Sequence, residues 1–415
     1  MIEIALAYTL LALGLLGHLA LWVALFNRVH ALGIPRRLIK ATEMMQILAV
    51  VAMPVAWCWR LAMSGQVARP LSRLSAGHFV DAVYFAIACG MLVYVASRWS
   101  WRRFHEKPPS GVLASTTVRY DVARELSVPL VAGMTSKLLS LVPENEVTAL
   151  TVSEKEFELA RLDEGLDGLS ILHLSDLHFT GKIERAYFDF VIDRVNDIEA
   201  DLVVVTGDII DKERCLDWIA PTLGRLRARH SKYFILGNHD KRVRDVAALR
   251  RRVTDCGFID LGGRCNVITV DGRQVLLAGN ELPWFGPAPF VPSRAELEDN
   301  SGVLRILLSH SPDQLSWARS NDFDLMLAGH THGGQIRLPM IGPIVAPSHF
   351  GVKYASGTFY ERPTLLHVSR GISGLEPIRI NCPPEVTRVV LRSASSRIAP
   401  PTSRSEDARE LAESF

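Results

Sequence analysis

The sequence predicts an α-helical transmembrane region followed by an α/β domain. Three observations predict it. An uncharged apolar stretch at the N-terminus is long enough to cross a bilayer, a basic and breaker-rich segment closes the apolar region, and from about residue 150 strand-like and helix-like patterns alternate. A chain of 415 residues exceeds one ordinary core, so more than one unit is expected. Lys and Arg total 46 against 44 Asp and Glu, a formal charge of +2. That balance excludes a nucleic-acid coat and an acidic tail. The six cysteines, Cys58, Cys89, Cys215, Cys256, Cys265 and Cys382, form no close pairs, which excludes a zinc knuckle or redox CxxC and is compatible with a reducing compartment.

Residues Ile4 to Phe26 contain no Asp, Glu, Lys or Arg and match the roughly 20 residues that a helix needs to span a bilayer. Only Glu3 precedes them as a charge and no small-residue cleavage site follows, so the segment reads as a retained span rather than a signal peptide. Two further candidates run from about Met44 to Met63, which includes Gln46, Pro54 and Arg60, and from about Phe79 to Ser97, which begins near Asp81. A buried helical hairpin is the alternative for these two. The stretch SWRRFHEKPPSG from Ser100 then ends the membrane region, giving about three helices within residues 1–105. Residues 106–150 read as a connector whose apolar stretch, Val128 to Val142, is too short to span and could lie in the interface or pack on the soluble domain.

The α/β domain is expected over residues 151–392. Five apolar runs stand out there: Leu169–Leu174, Leu202–Val205, Tyr233–Leu236, Leu304–Leu308 and Leu325–Ala328. Strands this apolar are buried on both faces, and functional groups gather beyond their carboxyl ends. Residues 393–415, rich in Ser, Arg, Ala, Pro and Glu without periodicity, read as a disordered tail.

Each run is followed by groups that can bind metal. Asp176 and His178 follow the first, Gly207-Asp208 and Asp211 the second, and Gly237-Asn238-His239-Asp240 the third. Ser309-His310 and Gly329-His330-Thr331-His332 follow the last two. Any one of these is common by chance, since Gly-Asp after a strand is often a turn and a single His is often structural. Five in succession are not. Carboxylate, imidazole and amide oxygen without thiolate suit divalent ions such as Mn²⁺, Fe²⁺ or Zn²⁺.

The order D-x-H, GD-x-x-D, GNH-D, S-H, GH-x-H resembles the calcineurin-like metallophosphoesterase superfamily from Asp176 to His332. The strings LMLAGHTHGGQIRLPMIGP and VSRGISGLEPIRINCPPEV are similar to its bacterial, membrane-associated YaeI/YkuE-like subgroup, extending the resemblance to about residues 155–392. The resemblance implies a four-layer αββα sandwich and two divalent metal ions. It would place Asp176, His178 and His332 on one ion, Asn238, His310 and His330 on the other, and Asp208 as the bridge. His239 would be the catalytic histidine that contacts phosphate without binding metal, oriented by Asp211, with Asp240 as the rival. Gly333 and Gly334 would allow a tight turn. Arg337 and Arg370 are candidates for phosphate or headgroup contact, against the simpler role of solvated surface. Trp284-Phe285-Gly286-Pro287 would shape an apolar substrate entrance or pack in the core, and His173 reads as structural.

The implied activity is hydrolysis of a phosphodiester or pyrophosphate, in a lipid-linked substrate such as a UDP-diacylglucosamine-type precursor or a phospholipid. The alternatives are a phosphatase or cyclic-nucleotide phosphodiesterase for a soluble substrate, and a non-catalytic metal-stabilised scaffold. With three spans, Arg28, Arg36, Arg37 and Lys40 share a side with Arg98, Arg102, Arg103 and Lys107. The second loop has only Arg60, Arg69 and Arg73, so the positive-inside bias predicts a multi-pass protein of the cytoplasmic (inner) membrane with its catalytic domain in the cytoplasm.

Overall fold

The computed structural model describes residues 2–64, 76–105, 111–294, 296–297 and 302–394. Two compact units emerge. One comprises residues 1–108 with 337–353, the other residues 109–336 with 354–415. The expected positions Arg69 and Arg73, and the tail from residue 395 on, lie outside the described residues.

The first unit contains three helices, α1 (Ile2–His30), α2 (Arg36–Ser64) and α3 (Ala76–His105). Each holds a stretch long and apolar enough to cross a membrane: Tyr8–His30, Arg36–Trp59 and Val80–His105. Basic side chains gather where α1 and α3 end, at Arg28, Arg102 and Arg103. Among the apolar residues some polar groups pair with one another: the Tyr84 hydroxyl lies 2.8 Å from His18 Nδ1 and accepts from Trp22 Nε1 at 3.0 Å. In an apolar environment such pairing is what makes a polar side chain tolerable.

The second unit is built on two sheets. In chain order the strands are β1 (Val112–Asp121), β2 (Ala149–Leu159), β3 (Ser170–Leu174), β4 (Leu202–Thr206), β5 (Ser231–Ile235), β6 (Phe258–Asp260), β7 (Cys265–Val270) and β8 (Arg273–Asn280). They continue with β9 (Leu304–Ser309), β10 (Leu325–Ala328), the short pair β11 (Arg337–Leu338) and β12 (Gly342–Pro343), then β13 (Gly357–Glu361), β14 (Thr364–Val368) and β15 (Glu385–Ser393). The seven-stranded sheet runs β1-β2-β15-β3-β4-β5-β6 and the six-stranded sheet β13-β14-β10-β9-β8-β7, while β11 and β12 pair within the first unit.

Alternation along the central strands explains the layers. Ile171, Leu202, Val204 and Ile235 point inward to meet Leu277, Ile306, Leu308 and Leu327 of the other sheet in a shared core. Their neighbours Leu172, Leu174, Val203 and Val205 face the opposite way, onto Tyr187, Phe188 and Val191 of the helix Arg185–Asn196 and Leu249 and Val253 of the helix Val246–Asp255. On the far side Leu307, Met326 and Leu366 meet Leu315 and Ala318 of the helix Leu315–Ser320. Helix, sheet, sheet and helix therefore stack as αββα, held by apolar side chains each contributing roughly 1.5–3 kcal/mol on burial.

Where a connector was expected, residues 112–121 form β1, paired antiparallel with β2 from Val112↔Phe157 to Asp121↔Ala149. The apolar stretch beyond it divides. Leu130 and Val131 join the core, whereas Met134, Leu138 and Leu141, spaced as one helical face, stay exposed.

Candidate metal centre

In each sheet the strands that bear functional residues are parallel, β3 with β4 and β4 with β5 in one, β9 with β10 in the other. Their carboxyl ends therefore open on one edge apiece. The backbone there is bent hard: Asp176, His178, Asp208, His330 and His332 adopt φ of 53°, 46°, 53°, 71° and 51°. Non-glycine residues in this region cost roughly 1–3 kcal/mol each and persist only where their surroundings impose them. Close approach is part of the imposition. A Cβ added to Gly237 would sit 2.3 Å from Asp208 Oδ1, and one added to Gly329 would sit 1.9 Å from Ser175 Oγ.

Two clusters meet on Asp208. Asp176, His178, Asp208 and His332 offer ligand atoms within 4.8 Å of one another, as do Asp208, His310 and His330. In the first, His178 Nε2 lies 3.2 Å from His332 Nε2 and 3.5 Å from Asp208 Oδ2, and His332 Nε2 is 3.5 Å from Asp176 Oδ1. In the second, His310 Nε2 lies 3.2 Å from Asp208 Oδ2, 3.1 Å from Asn238 Oδ1 and 3.2 Å from His330 Nδ1. All seven expected metal positions are thus brought together.

The electrostatics fit cations. Asp208 Oδ2 is buried and makes no well-directed hydrogen bond among the described residues; the imidazoles of His310 and His178 face it at 3.2 and 3.5 Å, the kind of ionic partner a buried carboxylate requires. Burial works to raise the Asp208 carboxyl, yet His310, His239 and His178 hold it well below its usual range. Burial likewise lowers His310, but Asp208 overrides it and pushes the imidazole up to about 9. His330 and His332 are held well below the ordinary histidine value by burial and then by neighbouring imidazolium, which keeps their nitrogen lone pairs available. The donor set of three carboxylate and amide oxygens and four imidazoles suits borderline divalent ions.

His239 stands beside both clusters. Its Nδ1 is 2.5 Å from Asp211 Oδ1, and the other oxygen of Asp211 lies 2.7 Å from His178 Nδ1. One carboxylate thus orients two imidazoles. Asp240 does something else: its oxygens accept from the backbone N–H of Ile209, Ile210 and Gly237, fastening the Asp208 loop to the Asn238 loop. Burial and the charge of Asp208 push its carboxyl up to about 7.

Arg242 escaped the sequence reading. Its Nη1 pairs with Asp211 Oδ1 and its Nη2 lies 3.2 Å from His239 Nε2. Its spacing of three from His239 on a helical turn was the available signal. Trp284 settles between its two expected roles: 8% exposed, it packs its ring at 5.3 Å from His310 and 4.7 Å from His330, walling the second cluster with an apolar surface. Gly333 and Gly334 turn at φ 64° and 86°. Arg370 is engaged by Glu385 at 3.1 Å, and His173 is a buried partner of Thr206 at 2.9 Å.

An αββα sandwich that gathers carboxylates and imidazoles about one shared carboxylate is the construction of a metal-dependent phosphoesterase. Comparison with known proteins agrees. Residues 169–334 match the calcineurin-like phosphoesterase family. The chain is 31% identical over 251 residues to the metallophosphoesterase YkuE of Bacillus subtilis, covering 59% of this chain and 87% of that one. It is 30% identical over 227 residues to the phosphodiesterase YaeI of Escherichia coli, covering 53% and 81%. A transmembrane protein with metallophosphoesterase domain from Bos taurus is 29% identical over 295 residues, covering 66% and 65%. The chain belongs to the calcineurin-like metallophosphoesterase family and is a hydrolase, and its long apolar helices together with such relatives support membrane association.

Proposed function

We propose that the protein is a multi-pass phosphodiesterase or pyrophosphatase of the cytoplasmic membrane, acting on a lipid-linked phosphoester. The carrying observation is the convergence of two donor sets on one shared carboxylate, that of Asp208. Asp176, His178 and His332 would hold one divalent ion and Asn238, His310 and His330 the other, with Asp208 placed to serve both. The pair of ions supplies Lewis-acid activation of water and neutralisation of phosphoryl oxygens. His239, whose Nδ1 is fixed by Asp211, is placed to contact the scissile phosphate and to stabilise the charge that develops on the leaving oxygen. Arg242 lies against both and adds a guanidinium for the charge on phosphate.

The apolar spans and the Trp284 wall favour an amphiphilic substrate. Full-length protein in vesicles tests this by competing a fluorescent lipid phosphodiester against bis(4-nitrophenyl) phosphate. A kcat/KM at least tenfold higher for the lipid supports the reading. Equal or lower efficiency would leave a phosphoesterase whose spans serve only as a tether. The distribution of Arg and Lys supports a catalytic domain inside the cell, and an alkaline phosphatase reporter fused after Ser393 should be inactive there; strong reporter activity would put the domain outside.

A further inference from the structure

The segment 337–353 interrupts the catalytic unit. The chain leaves that unit after Ile336, joins the helices α1–α3, and returns at Tyr354. Only Gly333, Gly334, Gln335 and Ile336 separate His332 from this excursion. Within the helical unit its hold is specific. Asn27, 3% exposed near the end of α1, donates from Nδ2 to the Ile344 carbonyl at 3.2 Å and accepts from the Ala346 N–H at 3.0 Å. Trp99, near the end of α3, donates from Nε1 to the Met340 carbonyl at 3.3 Å. One amide and one indole thus clasp the backbone of the hairpin formed by β11 and β12.

What the hairpin presents is apolar. Met340 is 88% exposed and Ile341 55%, with Leu338, Ile344 and Val345 each at about 40%. Met340 itself lies at the hairpin turn with φ 63°. Both residues that clasp it lie on the basic ends of α1 and α3, beside Arg28, Arg98, Arg102 and Arg103. Trp and Arg at the end of an apolar span mark the headgroup level of a bilayer.

We propose that residues 337–353 form a membrane-seated hairpin that inserts Met340 and Ile341 at the headgroup–acyl boundary. The chain that carries His330 and His332 enters this hairpin after four intervening residues. The occupant is lipid, with the basic rim favouring anionic headgroups. The proposal rests on α1–α3 spanning a membrane and is independent of which substrate is cleaved.

The test uses full-length protein in vesicles of phosphatidylcholine and phosphatidylglycerol. A photo-crosslinking p-benzoylphenylalanine replaces Met340 and, in a second variant, Ile341, and adducts are identified by mass spectrometry. Lipid adducts at both positions are expected. Adducts to a second copy of the chain, or no lipid adduct at either position, overturn the hairpin even if the preference for lipid phosphoesters stands. The double substitution Met340→Asp with Ile341→Asp gives the functional readout. It should lower kcat/KM on a vesicle-borne phosphodiester about tenfold while turnover of bis(4-nitrophenyl) phosphate in detergent is unchanged. Equal loss on both substrates would assign the hairpin a merely structural role.

Discussion

The two sheets of the catalytic unit contribute unequally to one centre. The seven-stranded sheet delivers Asp176, His178, Asp208, Asp211, Asn238 and His239, so every carboxylate of the centre comes from it. The six-stranded sheet delivers His310, His330 and His332, all imidazoles. One side thus supplies every carboxylate, while the other supplies only imidazoles, of which His310 is pushed up to about 9 by the Asp208 charge it faces. Such a centre is complete only when the two sheets are packed, which ties the chemistry to the shared core of Ile171, Val204, Ile306 and Leu327.

Substitutions on the two sides should separate these contributions. The largest effect belongs to Asp208→Asn, which removes the shared charge. Both ions should be lost and turnover should fall at least about 10⁴-fold, since several kcal/mol of metal-derived stabilisation disappear. Elemental analysis beside circular dichroism checks it, and two retained ions with normal turnover would sink the bridging role. On the imidazole side, His330→Ala should leave the ion held by Asp176, His178 and His332 and lose the other. Metal content drops from two towards one, with a rate loss of about 10³-fold. If both ions leave together, the sheets are not separable in this way.

His239→Ala touches neither donor set. Metal content should stay at two while turnover falls on the order of 10² to 10⁴, and loss of metal would convert His239 into a ligand. The smallest effect on rate is expected for Asp240→Asn. An amide N–H₂ then faces one of the N–H groups of Ile209, Ile210 or Gly237 and leaves a buried donor unsatisfied, costing roughly 1–3 kcal/mol in stability. Denaturant unfolding measures that cost, with metal content unchanged.

The five apolar runs read from the sequence coincide with β3, β4, β5, β9 and β10 because continuous burial on both faces leaves a local signature. The donors at their ends were legible for the same reason, as each follows its strand within a few residues. β15 was different. It pairs parallel with β2 and antiparallel with β3, joining residues more than 200 apart, and nothing local announces a partner at that distance. The pairing of β1 with β2 was hidden likewise, because β1 is mostly exposed and lacks an apolar rhythm. Arg242 was missed because its role depends on the turn after His239 folding it back onto Asp211. The excursion of 337–353 reads locally as ordinary loop, and only its partners Asn27 and Trp99 reveal it.

Asp176, His178, Asp208, His330 and His332 share a left-handed backbone. Glycine at any of them would relieve about 1 kcal/mol or more of backbone strain, but it would also empty a largely buried position, and the Asp176 and Asp208 carboxylates accept from the backbone N–H of His330 and His239. Strain and its support thus sit in the same side chains.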